Sequence, residues 1–241
     1  MKNLTKTLIA LLCAPMLLFA QEEESAKYNM VVAEYIKVKV GMEAKFVEAV
    51  KKHNAKFHAK APYASSLFRV STGNEAGWFI WTMGTMTFTD VDGAPGSGAH
   101  ADDWTKTIAP YVEEYGRSEY WRLNEKLSSF DDDSEPLQTV WFLDVKRGEY
   151  YRFKAFMEKV AKIHQNKKEE MHVWMNEFNQ ADGRDVAVTW PMDKWADLDS
   201  DDWKMKDEFD KEYGEGAWEN ALEEWEDVVE GVVQEVWERA I

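Results

Sequence analysis

Cysteine is almost missing from this chain. The single one among 241 residues, Cys13, stands in the first apolar stretch, so nothing after it can form a disulfide, a thiolate metal site or a cysteine nucleophile. Basic residues are also short: 29 Lys and Arg face 45 Asp and Glu, for a net charge of −16. Such a surface repels polyanions, so nucleic acid and anionic lipid are not expected partners. Long apolar runs are absent beyond the N-terminus, where Pro15 interrupts the only one, and no later stretch approaches the roughly 20 residues of a spanning helix. No nucleophile elbow is found, and the glycine-rich "DGAPGSGAHADD" lacks the lysine of a phosphate loop. That stretch is expected as a surface loop, in the position of a lid.

The first twenty residues, "MKNLTKTLIALLCAPMLLFA", place Lys2 and Lys6 before an apolar segment and end on Ala20. This reads as a secretory signal peptide over 1–20, and the chain is expected to be exported, to the periplasm or outside the cell. Leu11 and Leu12 before Cys13 argue against a lipoprotein site. The chain beyond Ala20 is acidic but aromatic-rich, with 12 Trp among 14% aromatic residues, which supplies a core that a disordered acidic chain would lack.

The remaining sequence says the same thing twice. An apolar or alternating run ends at Gly41 and again at Gly148, and the period then changes from two to that of a helix. Phe46, Val50, His53 and Phe57 form one buried stripe, and Phe153, Met157, Val160 and His164 form another. Two short strands come next in each half, "SLFRVS" and "WFIWTMGTMTF", then "MHVWMN" and "VAVTW". Each half then carries Asp-Asp-Trp, a helix, Glu-Tyr-Gly and a last element read as an edge strand. Asp102 or Asp103 and Asp201 or Asp202 are expected as helix N-caps, with Gly116 and Gly214 as helix stops. The fold class is therefore α+β: two tandem β-α-β-β-α-β units over 21–130 and 137–241, joined by an acidic linker at 131–136.

The pattern "VKVGMEAKFVEAV", with a short strand and "AGWFIWTMG" after it, resembles the dimeric α/β-barrel superfamily of ferredoxin-like proteins, which includes antibiotic-biosynthesis-type monooxygenases, haem-degrading monooxygenases and chlorite dismutase-like proteins. The resemblance implies two ferredoxin-like units packed sheet to sheet as an intramolecular α/β barrel, doing in one chain what single-unit relatives do by dimerising. The chain is then a monomer or a dimer, with a pocket between the sheet and helices of each unit. Haem is the cofactor this resemblance leaves open; no other cofactor is indicated.

The residues for such a pocket are His58, Trp81, His164, His172 and Trp190. An imidazole in a pocket serves as a base or a ligand, whereas a helix-end histidine is also an ordinary core residue. Aromatics on a sheet face are core or the wall of a flat apolar site. Asp197, Asp199 and Asp201 echo the oxygen spacing of a calcium loop, but Asp202 stands where a glycine is needed, which leaves them as a weak cation site. No catalytic residue is assigned. Three functions are carried forward: binding of a small apolar or aromatic ligand; a monooxygenase-type oxidoreductase, cofactor-independent or haem-dependent; and a non-catalytic interaction module.

Overall fold

A computed structural model of the chain describes residues 28–129, 135–179, 181–199 and 204–241. The leader over 1–20, most of the linker, and Asp201 and Asp202 lie outside the described residues.

The first half runs β1 (Met30–Val38), α1 (Glu43–Phe57), β2 (Ser65–Val70), β3 (Phe79–Met86), α2 (Phe88–Asp92), α3 (Ala99–Thr107) and β4 (Val112–Leu123). The second runs β5 (Leu137–Val145), α4 (Tyr150–Lys167), β6 (His172–Asn176), β7 (Val186–Met192), α5 (Met205–Tyr213), α6 (Ala217–Val228) and β8 (Val229–Arg239). The strands close into one barrel in the order β1-β3-β2-β8-β5-β7-β6-β4. Each half contributes four consecutive strands in the ferredoxin-like order, and the halves join by antiparallel pairing of β2 with β8 and of β4 with β6. The elements read as edge strands therefore have no free edge, which removes the usual aggregation liability of such strands.

The turns from β1 into α1 and from β5 into α4 need left-handed backbone at Gly41 (φ 80°) and Gly148 (φ 91°). A side chain at either position would be strained by its conformation alone. These are the two glycines that mark the change of period in the sequence.

Alternation along the strands splits the core in two. Phe79, Trp81 and Met83 of β3 face the helices and pack with Phe46 and Val50 of α1, whereas Ile80 faces the lumen with Tyr35, Phe68, Trp121, Phe142 and Trp237. In the second half Phe153, Met157 and Val160 of α4 pack on Val186 and Val188 of β7.

The Asp-Asp-Trp segment departs from expectation. Helix α3 already starts at Ala99, with Gly98 as its N-cap at φ 60°, so Asp102 and Asp103 lie inside the helix rather than capping it. Gly116 is not a helix stop but lies in β4, where an added Cβ would stand 2.6 Å from the Trp78 ring. Close approach, not helix termination, is what glycine permits there. Gly214 does end α5, at φ 104°.

Candidate functional site

In the first half α1 and α3 lie together over the helix side of the sheet. His53 belongs to the buried stripe of α1, one turn after Val50. His58 is five residues on, which in a continued helix would point it about 140° away. The helix stops at Phe57, however, and His58 adopts φ −131°, ψ 31° as its C-cap, which turns the imidazole back toward His53. The third imidazole comes from the first turn of α3, where Gly98 admits the chain and His100 lies two residues on.

The three rings converge through the same atom. His53 Nε2 is 3.1 Å from His100 Nε2, and His58 Nε2 is 3.0 Å from it. The opposite nitrogens are anchored: His53 Nδ1 meets Asp103 Oδ2 at 2.9 Å, and His58 Nδ1 meets the Tyr63 carbonyl oxygen at 3.1 Å. Asp103 is itself held by Lys56, whose Nζ lies 3.1 Å from Oδ1. Among the described residues this is the only group of three or more His, Cys, Asp or Glu whose ligand atoms gather within 4.8 Å of one another.

Aromatic rings enclose the cluster. Trp81 lies edge-on to His58 at 5.0 Å, Trp104 edge-on to His53 at 5.2 Å, and Phe57 edge-on to His100 at 5.2 Å. Trp81 Nε1 donates to Asn54 Oδ1 at 3.0 Å, fixing the indole in the buried layer. Burial, with Tyr63 opposing it, takes the His58 imidazole down to about 4, so the ring is neutral at physiological pH. Burial also lowers His100, with His53 adding to the effect, and the His53 and Lys56 contacts lower the Asp103 carboxyl, which is ionised. His53 and His58 are fully buried, whereas His100 is half-buried and is the side on which the cluster meets solvent.

His58 and Trp81 are thus brought together. Spacing alone does not reveal His53, His100 and Asp103: the first falls in the core stripe of α1, and the other two lie in stretches that read as loop and cap. His164 and Trp190 form a separate pair in the second half, 6.5 Å apart, with Trp190 also against Trp141 at 5.1 Å. Burial lowers His164 to about 4 as well. His172 lies elsewhere, with Trp174 on the wall of a cavity of about 250 Å³ in the lumen, and its Nε2 is 3.0 Å from Glu170 Oε1. Asp197 uses its carboxylate locally, accepting from the backbone N–H groups of Asp193 and Lys194 at 3.0 and 3.1 Å.

The duplication does not carry the cluster into the second half. Counting from Gly41 and Gly148, Val160 stands where His53 does and Gln165 where His58 does. Trp81 pairs with Glu34 across the sheet; Trp141 stands in the place of Glu34, and its partner on β7 is Val188.

Neither a family model nor a curated protein matches the sequence. Solved structures do match over most of the chain. A protein assigned as a monooxygenase from Lactobacillus acidophilus NCFM aligns with TM-score 0.53 and 12% identity, over 89% of this chain and 95% of its own. An anthrone oxidase-like protein aligns with TM-score 0.52 and 12% identity, over 88% and 92%. A mutant chlorite dismutase from Candidatus Nitrospira defluvii aligns with TM-score 0.51 and 8% identity, over 89% and 94%. At these identities the likeness is one of fold, and the chain has the ferredoxin-like α/β-barrel fold in its two-unit form.

Proposed function

We propose that the protein is an oxidoreductase of the monooxygenase type, acting on a small apolar or aromatic molecule at the imidazole cluster of the first half. The observation that carries this reading is the convergence of three imidazole nitrogens on one point, in the layer between sheet and helices, with indole walls from Trp81 and Trp104. The structural likeness to a protein assigned as a monooxygenase and to an anthrone oxidase-like protein supports the same reaction class, as analogy of fold.

A haem, which the family resemblance leaves open, does not fit this cluster. The Nε2 atoms of His53 and His58 both face His100 Nε2 at 3.0–3.1 Å, so neither is presented to the open plane a macrocycle needs. An electron-rich hydroxyaromatic is the substrate class whose own electrons suffice to reduce O2. When a ring methylene becomes a carbonyl, one oxygen atom of O2 enters the product and the other leaves with the two hydrogens as water, so no external reductant enters. The indole and phenyl edges supply flat apolar contact for such a ring, and the half-buried His100 side supplies the approach.

Oxygen uptake by the natively purified chain with a panel of polycyclic hydroxyaromatics tests the proposal. Uptake matched by quinone formation is expected, and His58→Ala is expected to reduce turnover on the order of 100-fold or more, the scale on which a positioned imidazole contributes. Absence of uptake across the panel, or equal rates in the variant, would overturn it. Export of the chain belongs to the same proposal and rests on the leader sequence alone.

A further inference from the structure

We propose that His53, His58 and His100 bind one divalent first-row transition-metal ion through their Nε2 atoms, at a single site in the first half of the molecule. The site goes beyond the reaction class proposed above and does not depend on it.

The hydrogen bonds behind the rings lead to this assignment. A carbonyl oxygen only accepts, so His58 carries its proton on Nδ1 to meet the Tyr63 carbonyl, and its Nε2 presents a lone pair. The Asp103 carboxylate also only accepts, so His53 carries its proton on Nδ1 and presents an Nε2 lone pair in the same direction. Both lone pairs point at His100 Nε2. A proton on that nitrogen gives one donor for two acceptors, so the two lone pairs cannot both be met by it. An ion takes all three lone pairs at once and moves the remaining proton of His100 to Nδ1.

Distances agree. Bonds of about 2.1 Å from an ion to imidazole nitrogen place neighbouring nitrogens of a tetrahedral site roughly 3.4 Å apart. The two Nε2 separations of 3.0 and 3.1 Å are within a few tenths of an ångström of that, and all three donors lie within 4.8 Å. The backing contacts are those that orient metal-bound histidines, a carboxylate behind one ring and a backbone carbonyl behind another. Three neutral imidazoles select zinc, iron, nickel or copper over calcium or magnesium, which require oxygen donors. Three protein donors also leave a coordination position for an exogenous oxygen.

The full chain, stripped of metal with a chelator, is titrated with Co2+ and followed by ligand-field absorption and equilibrium dialysis. One Co2+ per chain is expected, with intense visible bands of a low-symmetry nitrogen site and a raised Tm. His100→Ala, on the accessible side, is expected to lower affinity by more than 100-fold, and Asp103→Asn by about 10- to 100-fold, while His172→Gln leaves it unchanged. Far-UV circular dichroism checks that each variant is folded, and if His100→Ala is not, Asp103→Asn decides. Substoichiometric binding, or affinity unchanged in folded His100→Ala or Asp103→Asn, overturns the site. Stoichiometric Co2+ binding together with no oxygen uptake by any metal-loaded form would overturn the oxidoreductase reading and leave the ion site standing.

Discussion

His164 is a buried imidazole outside the cluster, 4% exposed on α4, and burial lowers it from 6.5 to about 4. Its proton is therefore held more weakly in the fold than in the unfolded chain. Above pH 6.5 both states are neutral there and the contribution to stability is complete. As pH falls below 6.5 the unfolded chain takes up the proton first, so stability falls progressively to about pH 4. A tenfold difference in proton affinity is worth about 1.4 kcal/mol, which makes the loss roughly 3 kcal/mol. Urea unfolding of the wild type and His164→Leu at pH 7.5 and pH 5 measures it: the wild type should lose more stability between the two, and equal losses would refute the assignment. At this scale the sequence shows the limits of spacing arguments. The pair of His58 with Trp81 is visible as a helix-end histidine and a sheet-face indole. The convergence of His53 with His58 is not, because it depends on α1 ending at Phe57 rather than continuing. His100 is hidden for another reason: a glycine-rich stretch reads as loop, whereas α3 begins within it at Ala99, entered through Gly98 at positive φ.

The longer elements follow from their periods. The stripes of α1 and α4 and the alternation of β3 and β7 are legible because each buries one face on the same layer. Contacts between elements distant in sequence are not legible, and the lumen holds the clearest. Arg184, just before β7, donates from Nε and Nη2 to Glu119 of β4 at 2.7 and 2.9 Å, and also to the Tyr35 hydroxyl of β1. Its guanidinium carbon lies 3.4 Å from the centroid of the Phe142 ring. The ion pair is buried, so its two charges have exchanged water for each other, and removing one strands the other. Arg184→Met is therefore expected to destabilise the protein by about 3 to 5 kcal/mol, with much of the loss recovered in the double variant with Glu119→Gln. Denaturant melts of both variants check this, and a near-neutral Arg184→Met would show that the pair is not desolvated in solution.

Across the whole molecule, the barrel joins two units of one repeated pattern into a single hydrogen-bonded ring. The seams β2–β8 and β4–β6, together with the Arg184 tie between halves, couple the units through backbone pairing as well as side chains. Unfolding should accordingly be one transition, with far-UV and tryptophan signals coincident in urea. Two resolved transitions would mean that the halves fold as independent domains. The units are alike in topology but not in chemistry, since Val160, Gln165 and Val188 occupy the second-half positions of His53, His58 and Trp81. The duplicated molecule thus has one imidazole centre, and an anomalous diffraction map of Co2+-loaded crystals examines that claim most directly. The expected result is a single cobalt peak among the Nε2 atoms of His53, His58 and His100; a peak at His164 or His172 instead, or no peak within bonding distance of the three, would contradict it.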